Sequence, residues 1–373
     1  MSDRFYRPTW VEISARAFTS NVRQVKSIAG VGCQLLAVLK ADAYGHGALA
    51  LATIAIENGA SMIGVSSIEE GIALRAGGVT APILLLGSIY PLENFTVALD
   101  HDLTPSVSSL DSARQLSAIA EKRGRPASFH LKVDTGMGRI GVSPIGAKAI
   151  LEWLRGQNHA VLAGVFSHLA TADSDPAMVQ DQFHQFQTVR DLVTSLGFPN
   201  VLFHLANSAA TLRYPETRMS MVRPGLSLYG LTNMPLASDV ALHPVLSWHT
   251  KIVFLKKVST GTPISYGATF RTARESEIAT LPVGYADGVP RFTFNKGAVL
   301  IKGRRCPIVG RVTMDHIMVD VTGIPVDIGE QATLIGRQGD AEISVNDWAA
   351  WNATISYEIL CGITKRVPRV MTP

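Results

Sequence analysis

The sequence predicts an α/β protein of two domains, a (β/α)8 barrel of the TIM type followed by a mainly β domain. Short apolar runs alternate with amphipathic stretches as far as about residue 230, and helical periodicity largely disappears after about Asn233. Continuous apolar runs are typical of parallel strands buried on both faces, and closely spaced Gly and Pro are typical of compact β domains. We assign residues 1–235 to the barrel and 236–373 to the β domain, with about the first 12 residues packing with the β domain.

Apolar runs separated by helical stretches predict the barrel. Most of these runs end in a loop with Gly, Ser or Asp, and eight of them over about 210 residues fit a closed barrel better than an open sheet. The helical candidates are Leu110–Arg123, Ile145–Gly156 and Met178–Leu196. The predicted strands are Gln34–Lys40, Met62–Val65, Pro82–Gly87, Leu103–Val107, Ser128–Val133, Val161–Ser167, Val201–His204 and Met221–Arg223.

The region after Asn233 is rich in Val, Ile and Thr and is interrupted by Gly and Pro at short intervals, which predicts β structure. A helical pattern returns only at Asp347–Ile355 and beyond. The predicted strands are His249–Val258, Glu277–Pro282, Gly297–Ile301, Cys306–Val312, Ile317–Val321 and Ala332–Ile335.

Composition excludes several classes of protein. Hydrophobic residues make up 47% of the chain and charged residues 17%, which is the composition of a folded protein with a large core. The net charge of +4 has no basic stripe with interleaved aromatics, so no nucleic-acid partner is expected. Neither a secretory segment nor an apolar run of about 18 residues is present, so no membrane association is expected. Three widely spaced cysteines fit reduced thiols in a cytoplasmic protein.

Lys40 closes the first strong apolar run, in LLAVLKADAYGHGA. Lysine tends to avoid core strands, and the carboxyl end of a barrel strand lies on the catalytic face. Partial burial lowers the pKa of an amine, so its neutral form can bond to a carbonyl carbon. The alternative is a lysine whose stem is buried and whose head reaches solvent. The following Tyr44, Gly45 and Gly47 favour a site, because they offer a phenol and close backbone approach.

A glycine-rich loop follows the strand that ends near Lys132, in KVDTGMGRIGV. Such loops are usually turns, but Arg139 in this one is suited to binding a carboxylate or a phenolate. A surface ion pair is the alternative function of Arg139.

Polar residues also end the later strands. His168 follows one of them, in GVFSHLATAD, although a lone histidine is more often structural. Asn207 and Ser208, in HLANSAA, open a helix and could either cap it or bind phosphate. Arg223 ends the eighth strand, and the turn at Gly225 and Leu226 exposes amides where barrel enzymes often bind phosphate.

Together these segments resemble the alanine racemase family, nearly from end to end between Trp10 and Arg369. The motifs that carry the resemblance occur in the family's order: AVLKADAYGHG, HLKVDTGMGRIGV, HLANSAA, RPGLSLYG, ISYGATF, GYADG, GRVTMD and ISYEI. The resemblance implies an enzyme that uses pyridoxal 5'-phosphate to interconvert L- and D-alanine, for peptidoglycan synthesis or for catabolism. It also implies a cytoplasmic homodimer whose active site is shared between subunits.

The resemblance implies a role for each matching residue. Lys40 would hold the cofactor covalently and act as a base on one face, and Tyr266 from the other subunit would act on the opposite face. Arg223 would face the pyridine nitrogen, and His168 would link Tyr266 towards Arg223. The phosphate would be held by Tyr44, Ser208, Tyr357 and the amides of Gly225 and Leu226, and Asn207 would also be among the cofactor-binding residues. Arg139 and the partner's Met314 amide would hold the substrate carboxylate, with Lys132, Asp315 and Tyr285 in support.

Lys132 lies where family members often carry a carbamylated lysine, whereas Thr313 and Val289 depart from the family pattern. Those two changes concern the substrate entryway or the interface, not the proposed acid–base pair. Three alternatives remain on this scaffold. A decarboxylase usually places an acidic residue at the pyridine nitrogen, a barrel-only carrier lacks the β domain, and a broad-specificity (serine) racemase tends to be exported.

Overall fold

The structure is a computed structural model that describes residues 6–373, and these residues form two compact units. The α/β unit comprises Ala17–Ala43 and Ala48–His243. The β unit comprises the described residues up to Arg16, together with Tyr44–Gly47 and Pro244–Pro373. Within the described part of the chain, no helix is both long and apolar enough to cross a membrane.

Parallel strands form the core of the α/β unit. Their residues are buried almost without interruption, which is expected when side chains pack on both faces of a sheet. One sheet has the order Met221–Val222, Gln34–Val38, Met62–Val65, Ile83–Leu85, Leu103–Thr104. The other has the order Ser106–Val107, Ala127–Lys132, Ala160–Phe166, Leu202–His204.

The two parallel sheets meet at both of their edges. Pro105 separates Leu103–Thr104 from Ser106–Val107, and its carbonyl accepts from the His130 amide at 3.0 Å. At the other edge the Ser220 amide donates to the Phe203 carbonyl at 3.0 Å, and the Arg223 amide donates to the Ala206 carbonyl at 2.9 Å. Proline has no amide hydrogen, which explains why the predicted strand Leu103–Val107 is divided in two.

Helices alternate with these strands, and most begin at a side chain that caps the first turn. Ser109 and Ser112 form a reciprocal capping box, and Asp175 accepts from two amides ahead of a proline at the first helical position. The helices are Ala15–Ala29, Ala48–Glu57, Ile68–Ala76, Phe95–Asp100, Leu110–Lys122, Pro144–Leu154, Pro176–Ser195 and Ser208–Arg213, with a short left-handed segment at Lys40–Gly45.

The β unit is built on a mixed sheet with Thr9–Ser14 inside it. Thr9–Ser14 pairs antiparallel with Leu246–Lys251 and parallel with Arg369–Thr372, so both ends of the chain belong to this sheet. The sheet has the order Arg304–Pro307, Ala298–Ile301, Gln331–Gln338, Leu246–Lys251, Thr9–Ser14, Arg369–Thr372, with Ala341–Ile343 paired to Gln331–Gln338. Smaller sheets contain Phe254–Val258, Ser276–Leu281 and Ile317–Asp320, and Pro263–Ile264 with Phe270–Arg271. The helices Val345–Trp351 and Ser356–Gly362 complete the unit.

Two predicted elements of the β unit are wrong in extent. The predicted strand His249–Val258 is divided because the chain changes partners: the Ile252 amide donates to the Glu330 carbonyl and the Val253 amide to the Thr280 carbonyl, in different sheets. The predicted strand Cys306–Val312 stops at Pro307, and the chain then enters a loop with a left-handed Gly310.

The helical pattern predicted for Asp347–Ile355 and beyond corresponds to two helices, Val345–Trp351 and Ser356–Gly362, which are separated by residues 352–355. The positive φ of Ala353 ends the first helix, because a left-handed residue cannot continue a right-handed helix.

Candidate active site

Except for Arg139, the predicted chemistry-bearing residues of the α/β unit lie at or just beyond the carboxyl ends of its strands. This edge carries the active sites of parallel α/β enzymes. Lys132 is the last residue of its strand, and the other predicted residues lie within four residues of a strand end: Lys40, His168, Asn207, Ser208, Arg223, Gly225 and Leu226.

Lys40 begins a turn of left-handed backbone. Ala41, Asp42, Ala43 and Tyr44 have φ between 52° and 55°, and Gly45 continues at 78°. A left-handed conformation costs an L-residue about 1–2 kcal/mol, so four in succession require compensation from their surroundings. The Ala41 amide donates to the Glu70 carboxylate at 2.6 Å, and Asp42 accepts from the Ala48 amide at 2.7 Å. Strained backbone held in this way is typical of functional sites.

Arg223 is buried and bound on both sides of its guanidinium group. One terminal nitrogen donates to the His204 carbonyl at 2.6 Å and lies 3.2 Å from His204 Nδ1, and the other donates to the Ser167 carbonyl at 2.6 Å. Burial lowers the pKa of Arg223 to about 9, so the group stays a cation at neutral pH. A guanidinium can only donate hydrogen bonds, which fixes the polarity of any ligand that it contacts.

Two buried histidines extend this arrangement. His204 Nε2 lies 2.8 Å from His130 Nδ1, and the His204 ring stacks on Phe166 at 4.9 Å. Arg223 occupies His204 Nδ1 as a donor, so the His204 proton must lie on Nε2 and be donated to His130. Burial lowers the pKa of His130 to about 3 and holds that of His204 well below its usual range, with Arg223 contributing to both shifts. Both rings are therefore neutral near pH 7.

Lys132 is also buried beside these groups, with Nζ 4.3 Å from the centroid of the Phe166 ring. Burial lowers the pKa of Lys132 well below its usual range, and the charges of Arg223 and Arg139 lower it further. The same effects, with burial the largest, lower the pKa of His168. The strand ends thus carry more buried positive charge than negative charge, which favours an anionic ligand.

The glycine-rich loop after Lys132 is organised by Asp134, whose carboxylate accepts from the amides of Gly136, Met137 and Gly138 at 2.8–3.1 Å. These backbone bonds help to lower the pKa of Asp134, although burial opposes them. Arg139, on the same loop, is exposed. The loop therefore presents a cation to solvent from a fixed backbone.

The predicted phosphate cradle is bonded together around Ser208. Its hydroxyl accepts from the Gly225 amide at 2.9 Å and from the Ser227 amide at 3.2 Å, so it connects the loops that follow the last two strands. Asn207 accepts from the Ala210 amide at 3.0 Å and caps the helix Ser208–Arg213. Asn207 thus acts as a helix cap, the alternative that its position in the sequence left open.

Two of the predicted tyrosines lie together in the β unit. The rings of Tyr44 and Tyr357 are 5.4 Å apart between centroids. Burial raises the pKa of Tyr44 far above its usual value, and Tyr357 contributes to the increase. Tyr44 is therefore a neutral phenol suited to donating a hydrogen bond.

Tyr266 lies on a sharply turned loop of the β unit, with 72% of its surface exposed. The residues around it, Ser265, Gly267 and Ala268, all have positive φ. A Cβ atom on Gly267 would lie 3.2 Å from the Arg311 guanidinium carbon. Tyr266 shares a recess of about 630 Å³ with Tyr285, Arg291, Arg311, Val312 and Thr313. The loop thus presents a phenol beside arginine side chains.

Tyr285 and Met314 are held by neighbouring loops whose backbones are bonded to each other. The Tyr285 amide donates to the Thr313 carbonyl and the Ala286 amide to the Met314 carbonyl, both at 3.0 Å. Gly284 is required at this contact, because a Cβ atom there would lie 2.4 Å from both of the accepting carbonyl oxygens. Tyr285 and Met314 are nevertheless exposed.

A buried carboxylate supports these two loops. Asp287 accepts from the Gly284 amide at 2.9 Å and pairs with Arg7 and with Arg366, the latter at 3.6 Å. Arg366 also donates to Asp315 at 2.8 Å, and this bond lowers the pKa of the Asp315 carboxyl. Arg366 therefore connects the loop of Tyr285 with the loop of Met314.

Comparison with known proteins decides the family. The family model described as the alanine racemase N-terminal domain matches residues 13–233, and the one described as the C-terminal domain matches residues 245–371. A curated protein of Halothermothrix orenii named alanine racemase is 44% identical over 372 residues, covering 99% of this chain and 98% of its own. The chain belongs to the alanine racemase family.

Solved structures agree with this assignment. The crystal structure of alanine racemase from Bacillus anthracis with bound L-Ala-P is 38% identical, with a TM-score of 0.92 over 99% of this chain and 96% of its own. The crystal structure of alanine racemase from Bartonella henselae with covalently bound pyridoxal phosphate is 28% identical, with a TM-score of 0.89 over 98% and 99%. The chain is accordingly an enzyme, an amino-acid racemase of this family.

Sequence reasoning missed several residues that contact or support the predicted ones: Glu70, His130 and His204 in the α/β unit, and Asp287 and Arg366 in the β unit. A signal was present for some of them, because His130 and His204 are polar positions inside apolar strand runs. Glu70 stands three residues after Ser67, a spacing that indicates the start of a helix. That spacing does not predict the hydrogen bond that Glu70 accepts from the Ala41 amide. No sequence pattern joins Asp287 to Arg366.

Proposed function

We propose that this chain uses pyridoxal 5'-phosphate to interconvert L-alanine and D-alanine, with Lys40 and Tyr266 as the two bases on opposite faces of the substrate. The observation that carries the proposal is the buried cation of Arg223 with the buried amine of Lys132 near it, together with Lys40, which begins a strained turn at a strand end. The covalently bound pyridoxal phosphate of the Bartonella henselae structure supports the choice of cofactor.

The chemistry of the donor groups fits such a cofactor. Lys132 and Arg223 are both about 95% buried among neutral histidines, and an anionic ligand would offset their desolvation. Ser208 and the Gly225 amide, already bonded to each other, are groups that can bind phosphate oxygens. We assign the phosphate to Tyr44, Ser208, Tyr357 and the amides of Gly225 and Leu226.

The protein's residues divide the proton chemistry between them. When bound, the cofactor withdraws electron density from the substrate's α-carbon and so acidifies its proton. Lys40 would remove or return that proton on one face and Tyr266 on the other, which avoids moving a single base across the ring. Arg223 would donate to the ring nitrogen without protonating it. Arg139 and the Met314 amide of the partner subunit would hold the substrate carboxylate.

Tyr266 requires help to act as a base, because a free phenol has a pKa near ~10. In this proposal His168, linked towards Arg223, supplies a polar and positively charged neighbourhood that favours the phenolate. The lowered pKa of Lys132 leaves more of its amine neutral, which is the form that can be carbamylated to support Arg139.

The proposal includes a homodimer and a closed (β/α)8 barrel. Exposed apolar side chains of the β unit, Tyr266, Tyr285, Phe292 and Met314, support a surface that a second copy covers. Backbone bonds at both edges of the parallel sheets support closure of the barrel. A cytoplasmic location is part of the same proposal.

Covalent trapping tests the proposal directly. We expect borohydride treatment of the purified holoprotein, followed by peptide mapping, to find the pyridoxyl group on Lys40. Lys132, a buried lysine at the end of another strand of the same unit, is the internal comparison within the same digest. A label on Lys132 or on any other lysine, or no label at all, would contradict the assignment.

Substrate choice needs a second measurement. Exchange of the α-proton with deuterated solvent, measured for L- and D-isomers of alanine, serine and larger amino acids, would rank the substrates. We expect alanine to exchange fastest in both isomers, and faster exchange of serine would replace alanine by serine in the proposal.

A further inference from the structure

We infer that Glu70 is a positioning residue for Lys40, and that its carboxylate fixes the left-handed turn in which Lys40 presents its amine. The inference rests on the proposed function of Lys40. Glu70 lies in the first turn of the helix Ile68–Ala76, after the strand next to the one that Lys40 follows.

Both carboxylate oxygens of Glu70 are used. Oε1 accepts from the Ala41 amide at 2.6 Å, and Oε2 accepts from the Ser66 amide at 2.7 Å and from the Ser66 hydroxyl at 3.1 Å. One side chain therefore joins the residue directly after Lys40 to the loop at the end of the neighbouring strand. Hydrogen bonds to an ionised acceptor are stronger than neutral ones, and here they fix two backbones at once.

The Glu70 side chain departs from the use that its sequence position predicts. Ser67 caps the helix and accepts from the Glu70 amide, as in a capping box. In that motif the glutamate would accept from the amide of the cap residue itself, Ser67. Glu70 instead binds the amide of Ser66 and reaches Ala41. The geometry thus uses the carboxylate for the Lys40 turn and not for the helix.

The other end of this connection is itself fixed by close packing. A Cβ atom on Gly87, beyond the next strand, would lie 2.3 Å from the Ser66 carbonyl oxygen. Ser66 therefore cannot shift far, and Glu70 transmits that rigidity to Ala41. Because Ala41 to Tyr44 are all non-glycine residues in a left-handed conformation, the turn needs such an external partner to persist.

Three variants separate positioning from general stabilisation. Glu70→Ala removes both acceptors, and Glu70→Gln keeps the shape with one acceptor oxygen, so that only one backbone amide can be bound. Glu69→Gln is the matched control, because Glu69 lies in the same helical turn, carries the same charge and is exposed. We expect the control to remain within about twofold of wild type, as is usual for surface substitutions.

The expected effects are on turnover and on local exchange. Because small misplacement of a reacting group costs up to about 100-fold in rate, we expect Glu70→Ala to lower kcat by about that factor and Glu70→Gln by about 10-fold. KM should change much less. Hydrogen–deuterium exchange of a peptide that includes Ala41, measured without substrate, should accelerate in both Glu70 variants. Peptides from the helix Pro176–Ser195 should exchange as in wild type.

The outcomes separate this inference from the proposed function. Wild-type kcat and exchange in Glu70→Ala, with Lys40→Arg inactive, would overturn the role of Glu70 alone. An active Lys40→Arg variant would overturn the proposed function and this inference with it. If Glu70→Ala does not fold, Glu70→Gln decides: a slower kcat with faster exchange at Ala41 supports positioning, and no change in either contradicts it.

Discussion

The two units hold their proposed catalytic groups in opposite ways. In the α/β unit, Arg223 and Lys132 are buried, and Arg223 is fixed by the unit's own backbone carbonyls. In the β unit, Tyr266 and Met314 stand on turned loops with more than half of their surfaces exposed. The α/β unit thus holds Arg223 and Lys132 in place by its own contacts, whereas the loops of the β unit leave Tyr266 and Met314 exposed to solvent.

This difference in burial determines which of the proposed site residues have altered pKa values. Desolvation has already changed the pKa values of the buried set, lowering those of Arg223, Lys132 and His168. Tyr266 and Met314 are exposed and have not been removed from water in this way. We therefore expect substitutions in the β unit loops to change reaction rates and substitutions beneath them to change stability.

The largest effect is expected from Tyr266→Phe. Loss of an acid–base group costs about 10²–10⁴ in rate, so we expect α-proton exchange from L-alanine to fall by about 1,000-fold. We expect Lys40 to act on D-alanine and Tyr266 on L-alanine, so exchange from D-alanine should fall far less. Exchange of each isomer into deuterated solvent, measured before much racemisation has occurred, tests the assignment.

Tyr90→Phe is the matched control for that experiment, because Tyr90 is an exposed tyrosine of the α/β unit. It should behave as wild type with both isomers. An equal loss of exchange from L- and D-alanine in Tyr266→Phe would contradict the assignment of separate faces.

The second largest effect is a loss of stability on substitution of Asp287, the buried carboxylate that supports the loops of Tyr285 and Met314. Asp287→Asn keeps an acceptor for the Gly284 amide but removes the charge that pairs with Arg7 and Arg366. Removing one partner of a buried pair costs about 3–5 kcal/mol, and because both arginines are partly exposed we expect about 2–3 kcal/mol of lost unfolding free energy. Denaturant unfolding measures it.

Asp315→Asn provides the comparison, because Asp315 pairs with the same Arg366 on the surface. Solvent screens an exposed pair of this kind, so the loss of unfolding free energy should be small and well below that of Asp287→Asn. Equal losses of unfolding free energy in Asp287→Asn and Asp315→Asn would show that burial does not make the ion pairs of Asp287 more stabilising.

The third effect tests how tightly the α/β unit packs around its histidines. A Cβ atom on Gly164 would lie 2.5 Å from His130 Nδ1. Overpacking a close-packed core costs about 1–3 kcal/mol, so we expect Gly164→Ala to lower the unfolding free energy by that amount. Gly156→Ala is the control, because the φ of Gly156 is also not positive and its Cβ would meet only the Trp153 carbonyl oxygen, at 3.8 Å. A loss of unfolding free energy in Gly164→Ala no larger than that in Gly156→Ala would contradict tight packing at His130.

The sequence was sufficient to predict the α/β strands because those strands are buried on both faces. Every predicted barrel run overlaps an observed strand, and Met62–Val65 agrees at both ends. The strand Thr9–Ser14 was missed because its partners lie more than 230 residues away, a separation that no local pattern encodes. For the same reason the change of sheet at Ile252 was not predictable.

The candidate site divides in the same way. Lys40 and Arg223 stand at strand ends, where position along the chain already predicts a shared edge. Glu70, Asp287 and Arg366 act through bonds between distant loops, and their residue types are common on protein surfaces. Local patterns therefore indicate the groups proposed to react, and only the folded structure reveals the groups that position them.

The last effect, which is absent at neutral pH, is a pH dependence of stability in the α/β unit. Burial first, and then the charge of Arg223, lower the pKa of His130 from its ordinary value of 6.5 to about 3. Between these values the unfolded chain binds a proton that the folded chain does not. The contribution of His130 is therefore complete above about pH 6.5 and is lost on acidification, by up to about 1.4 kcal/mol per pH unit.

His130→Asn isolates this contribution, because its amide oxygen can still accept from His204. We expect the unfolding free energy of wild type to fall more steeply than that of the variant between about pH 6 and pH 4, by up to about 1.4 kcal/mol per pH unit. Above about pH 7 the two slopes should agree, whatever the absolute stabilities. Parallel curves over the acidic range would mean that His130 binds its proton as readily in the folded chain as in the unfolded one. Its burial between Gly164 and His204 would then not keep it neutral, and the neutral ring could not serve as the acceptor that orients His204 beneath Arg223.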